Sequence, residues 1–240
     1  MDLLLLACIL LLAHTAETIL GFGATLIALA LGVHLMAVET LVPVLVILAL
    51  LQSLWLVARW FRHIEWPILL RHILPATGIG VPVGIWGRGL ADEAQLRMIL
   101  GAFIVVVSSI ELVFLFRRGA ARGELRWYYR IPVLVAGGVF HGLFATGGPL
   151  VVYYASRQLR TQESFRATLS MLWLILNIIL LISFWVSGHV NYETLEMSVL
   201  VLPGLVAGIL VGSFIRVKQL IFRGMTYVLL FFSGLVLLVQ

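Results

Sequence analysis

Charge is scarce in this chain. Only 11% of its 240 residues are Asp, Glu, Lys or Arg, where a soluble domain carries about 25%. A water-soluble fold is therefore excluded. Hydrophobic residues make up 62% and mean hydropathy is +1.12. A long polar stretch is also missing. The longest charged connection, Arg117 to Arg130, has the length of a loop, so no extramembrane domain lies within the sequence. Cys8 is the single cysteine, which rules out an intrachain disulfide. It follows Leu5-Leu6-Ala7 but has no basic residue before it, so it reads as a small buried apolar residue rather than a lipidation site. Lysine is nearly absent, since Lys218 is the one exception among sixteen basic residues. Those residues sit between apolar runs, so the net charge of +5 reflects membrane topology and not nucleic-acid binding. No nucleotide-binding motif, His-Glu-x-x-His or Gly-x-Ser-x-Gly occurs. An intramembrane enzyme built on histidines and a glutamate is a second class of reading, but it lacks a second acidic partner. No cofactor and no metal is expected.

Apolar segments fall at about 3–33, 36–58, 67–87, 96–116, 131–156, 167–187, 195–215 and 224–239, the pattern of an all-α polytopic membrane protein. Arg59 and Arg62, the central group Arg117, Arg118, Arg122, Arg126 and Arg130, then Arg157, Arg160 and Arg166, and finally Arg216, Lys218 and Arg223 mark cytoplasmic loops. The turn at 88–97 balances Arg88 and Arg97 against Asp92 and Glu93, and the turn at 188–196 has only Glu193 and Glu196. Both are expected outside. The loops on the two sides of 131–156 then share one side of the membrane. That segment either enters and returns as a re-entrant hairpin, or crosses as one long tilted helix.

Glycines decide where such a hairpin turns. Gly21-Phe22-Gly23 interrupts the first apolar segment and Gly147-Gly148-Pro149 the fifth. In hydrocarbon an unpaired backbone group costs several kcal/mol, so breaks survive only where the backbone lines a cavity or binds something. The halves also repeat. His14 aligns with His141 at 127 residues, His63-Ile64-Glu65-Trp66 with His189-Val190-Asn191-Tyr192 at 126, and Pro75, Gly80 and Gly84 with Pro203, Gly208 and Gly212 at 128. Residues 1–120 and 121–240 thus read as two inverted repeats, each a broken hairpin plus three transmembrane helices. An inverted arrangement places both termini outside the cytoplasm.

Helices restarting near Phe22 and Pro149 would point their N-termini at the bilayer centre. Each carries roughly half a positive charge and free N–H groups. Two such ends make a site for a small anion without a buried arginine. The candidate substrate-binding residues are His14, Gly21, Phe22, Gly23, Thr25, Gln52, His141, Thr146, Gly147, Gly148, Pro149 and Asn177. His14 and His141 either donate to the anion or bond carbonyls freed by the breaks. Glu17 would repel an anion if ionised, so it is a coupling group or a structural partner of a histidine. Gln52, Ser53 and Asn177 line the site or bond between helices. The stripes Gly78, Gly80, Gly84, Gly204, Gly208 and Gly212 serve helix packing, and a homodimer is compatible with them.

The run Gly137-Gly138-Val139-Phe140-His141-Gly142-Leu143-Phe144-Ala145-Thr146-Gly147-Gly148-Pro149-Leu150, with its sparser counterpart Glu17-Thr18-Ile19-Leu20-Gly21-Phe22-Gly23-Ala24, resembles the TauE/SafE sulfite exporter family. The resemblance extends to length and duplication. It implies a secondary transporter of the inner (cell) membrane that exports sulfite or an organosulfonate such as sulfoacetate, driven by an ion gradient. A symmetric carrier runs either way, so an importer or channel for thiosulfate or a related anion is the alternative. The partners implied are the anionic substrate and the lipid bilayer.

Overall fold

A computed structural model describes residues 2–116, 127–159, 161–215 and 219–239; the side chains of residues 2, 116, 127 and 219–223 are not included. The loop charges Arg117, Arg118, Arg122, Arg126, Arg160, Arg216 and Lys218, and the side chain of Arg223, lie outside the described residues. The described residues contain helices and no strand. In order these are α1 (Asp2–Leu20), α2 (Ala24–Gly32), α3 (Val38–Trp60), α4 (Trp66–Ile68), α5 (Leu74–Leu90), α6 (Glu93–Phe116), α7 (Trp127–Phe144), α8 (Gly148–Gln158), α9 (Gln162–Val186), α10 (Tyr192–Phe214) and α11 (Gln219–Val239). A π-helical turn, Leu69–Ile73, joins α4 to α5 in one rod. Six described helical stretches are long and apolar enough to cross a membrane. Helix is what such sequences adopt, because only helices satisfy their own backbone polar groups in hydrocarbon.

The helices pack in a reciprocal set. α1 lies along α10 and α7 along α5, while α3 packs on α9 and α6 on α11. Exchanging each helix for its counterpart in the other half returns the same pairs. Glycine makes the closest contacts. Gly204 meets Ala7, Gly208 meets Leu11 and Thr15, and Gly212 meets Thr15 and Thr18, so α10 and α1 run parallel. Gly80 and Gly84 meet Val135, Val139 and Leu143 in the same sense on α7. A methyl at Gly80 would stand 2.7 Å from the Val139 nitrogen. Small residues let backbones touch where apolar burial drives nothing, since the lipid is as apolar as the protein. Five of the six stripe glycines are thus used inside the chain, and Gly78 faces open space.

Both broken segments double back. Gly32, at the end of α2, packs on Leu6 of α1, and Gly137 of α7 packs on Leu150 and Val151 of α8. The single tilted helix over 131–156 is not formed. The first break falls at Gly21-Phe22-Gly23 as expected, with α2 starting at Ala24, while the second lies earlier than Gly147-Gly148-Pro149. Cys8, expected to be buried, is exposed on α1. The second break is Ala145-Thr146-Gly147, with Gly148 and Pro149 already inside α8. Proline suits that first turn because its missing N–H would have no helical partner there.

Candidate functional site

The two hairpins share a register of 124 residues. The last backbone bond of α1 runs from the Gly21 N–H to the Glu17 carbonyl (2.6 Å), and that of α7 from the Ala145 N–H to the His141 carbonyl (2.7 Å). The chain then turns through positive φ, at Gly21 (87°) and at Ala145 (55°). Gly23 and Gly147 precede the returning helices. The glycine contacts give the same spacing, because Gly208 meets Leu11 and Thr15 where Gly80 meets Val135 and Val139. Glu17, not His14, is therefore the structural counterpart of His141. The match of the two histidines at 127 is a coincidence of residue type; backbone packing sets the register three residues away, where Gly138 is the counterpart of His14.

A small cavity lies between the breaks, beside the middle of α3 and α9. Its volume is about 30 Å³, above the roughly 10–15 Å³ that one water needs. Its walls are matched positions carrying different chemistry: Glu17 and His141, Thr25 and Pro149, Ala49 and Trp173, Ser53 and Asn177. Gly23, Leu26, Ala145, Thr146 and Gly148 complete it, and no arginine or lysine lines it. The starts of α2 and α8 both reach this space, which brings two partly positive helix ends together.

The two ends are not equivalent. No side chain of the N-cap residue serves α2, but the Glu17 Oε2 accepts the Ala24 N–H at 2.8 Å. One half thus supplies its own carboxylate to its own helix N-terminus. Among the described residues no side chain caps α8, where Gly147 stands at the N-cap. Beside α8 is His141, stacked on Trp173 with ring centroids 5.5 Å apart. Asn177 neighbours His141, yet neither ring nitrogen of His141 nor the Asn177 Oδ1 meets a partner at hydrogen-bond geometry, and both residues are 98% buried. Buried polar atoms without partners are costly. They are what a polar ligand would satisfy.

The cavity gathers Glu17, Gly23, Thr25, His141, Thr146, Gly148, Pro149 and Asn177 from the residues expected in the sequence. It leaves out five. His14 Nδ1 pairs with Gln52 Oε1 at 2.5 Å, and Gln52 Nε2 donates to the Thr18 hydroxyl at 3.4 Å, so these two form a packing network. Phe22 meets the edge of Phe165. Gly21 lies against Arg166, whose Cγ is 2.8 Å from where a Cβ would stand. Gly147 is pressed on the Gly137 carbonyl and the His141 Cβ, so its glycine serves the hairpin and not the cavity. Sequence reasoning missed Leu26, Ala49, Ala145 and Trp173, and the choice of Ser53 over Gln52. The 124-residue register pairs Ser53 with Asn177 and Ala49 with Trp173, and it becomes visible only once the helix contacts are known.

The model for the family "Sulfite exporter TauE/SafE" matches residues 5–237. The probable inner membrane transporter protein TsaS of Comamonas testosteroni is 29% identical over 156 residues, which is 64% of this chain and 63% of that protein. No solved structure matches the chain.

Proposed function

The chain belongs to the sulfite exporter TauE/SafE family, and from that premise we propose that it is a secondary transporter exporting a small sulfur-containing anion, sulfite or an organosulfonate such as sulfoacetate, across the inner membrane. One observation carries the reading: the uncapped start of α8 faces a buried cavity in which His141 and Asn177 hold polar atoms without partners. N–H groups at a helix start and neutral donors bind an oxyanion without a fixed cation. The anion sits at the α8 side. Glu17 already serves α2, and as the one carboxyl group among the described residues of the cavity lining it is the group through which a coupling ion acts. The two halves are inverted across the membrane, both termini lie outside the cytoplasm, and rocking of one half against the other opens the small cavity to each side in turn.

The test is calorimetry and thermal unfolding of purified protein with sulfite, thiosulfate, sulfoacetate, isethionate, taurine and phosphate. A ligand at one hundred times its Kd stabilises by about 2.7 kcal/mol. The expected result is stabilisation by compact sulfur oxyanions that disappears in Gly148→Leu. Absence of stabilisation by every anion would overturn the reading.

A further inference from the structure

A second, larger cavity opens at the arginine-rich end of the helices, where α3 ends and α9 begins. Its volume is about 470 Å³. Arg59 and Arg166 line it, together with Gln162, Thr18 and Ser213, and among the described residues no carboxylate does. Glu163 is the acid whose charge acts on Arg166, and it stays out of the lining. Arg59 lies over the Trp55 and Trp60 rings, with centroids 5.8 and 5.7 Å away, which holds an exposed guanidinium at the mouth.

This cavity is stacked on the first. On α1 the adjacent residues Thr18 and Glu17 face one cavity each, and on α3 Leu56 and Ser53 do so about one turn apart. Arg166 sits at the partition. Its Nη2 donates to the Ile19 carbonyl in the last turn of α1, its stem packs against Gly21, and its buried Nε has no partner. The other half differs in charge. At the 124-residue register Arg59 corresponds to Ser183, Trp60 to Phe184, Gln162 to Val38 and Arg166 to Val42. Val38 and Val42 are buried, and Phe184 is buried under Arg88, 4.5 Å from its ring, but that single arginine is itself buried and has the charges of Glu39 and Glu93 acting on it.

We propose that this vestibule is a capture site for compact oxyanions on one face only, in which Arg59 and Arg166 take the anion before it passes the turn of α1 to the central cavity. The inference rests on the transport reading above. Two cations between low-dielectric walls concentrate anions locally, which speeds capture by about tenfold or more and weakens with salt. Capture changes KM from one side and leaves the chemistry of the central site alone.

Fluxes of radiolabelled sulfite and sulfoacetate are measured in right-side-out and inside-out vesicles of wild type, Arg59→Gln, Arg166→Gln and Arg166→Lys. The expected result is KM raised about tenfold in both glutamine variants from the arginine-rich face, with kcat within about twofold and KM from the opposite face unchanged. Arg166→Lys recovers part of the loss, and the wild-type salt dependence flattens in Arg59→Gln. Arg59 holds no helix together, so its variant reports even where Arg166→Gln fails to fold. An unchanged KM from the arginine-rich face, or an equal rise from both faces, would overturn the proposal. The central site is tested separately by Gly148→Leu, which removes flux from both faces.

Discussion

Two adjacent glycines are expected to respond to one methyl group in opposite ways. In Gly147→Ala the new Cβ would overlap the Gly137 carbonyl oxygen and stand 2.9 Å from the His141 Cβ. Those atoms belong to α7, so relief requires α8 to lift off it. Overpacking costs about 1–3 kcal/mol, and more where backbone opposes backbone. At about 2–4 °C per kcal/mol for a chain of this size, the unfolding midpoint falls by roughly 5 °C or more. In Gly148→Ala the nearest atom is Trp173 Cζ2 at 3.9 Å, and the φ is not left-handed. Alanine at a compatible helical site gains about 0.4–1 kcal/mol, so stability holds or rises. The methyl nevertheless enters a cavity of only about 30 Å³, where one water takes roughly 10–15 Å³. Transport should drop by tenfold or more while the protein stays folded. The assay pairs thermal unfolding in detergent with sulfonate flux in proteoliposomes. A Gly147→Ala protein as stable as wild type would refute the close hairpin. Normal flux in Gly148→Ala would remove the α8 start from the transport path.

Glu17 separates charge from hydrogen bonding: Glu17→Gln still accepts the Ala24 N–H and keeps wild-type stability, whereas Glu17→Ala loses the cap and about 0.5–2 kcal/mol. If Glu17 couples transport to a gradient, Glu17→Gln retains anion exchange and loses uphill accumulation, and full accumulation in that variant excludes the coupling role. The two histidines should also divide. His14→Ala strands the Gln52 carbonyl oxygen and costs about 1–3 kcal/mol with KM unchanged. His141→Leu strands nothing, so it keeps the folded state and weakens anion binding about tenfold or more by calorimetry; unaltered binding would place the anion elsewhere.

Much of this was legible along the chain because hydrocarbon punishes irregular backbone severely. Helices, breaks and their return followed from apolar runs, arginines and glycines. Gly147 shows where such reading ends. Its type signalled a special position, but only Gly137 lying against it distinguishes packing from binding. The same holds for His14 and His141. Residue type and a nearly constant spacing paired them, while the carbonyls of Glu17 and His141, each closing its helix, assign the true counterparts.

Composition and periodicity were therefore enough to establish a helical membrane protein with two glycine breaks, since those features arise from local backbone satisfaction in lipid; that the chain doubles back at the second break was one of two readings until the packing of α8 on α7 decided it. The division of roles was decided by packing: Glu17 serving α2, His141 and Asn177 left without partners at α8, and Arg166 set against Gly21. Each depends on which helix faces which across more than a hundred residues, and register of that kind is set by the close contacts of glycine-lined helices, which no short stretch of sequence encodes.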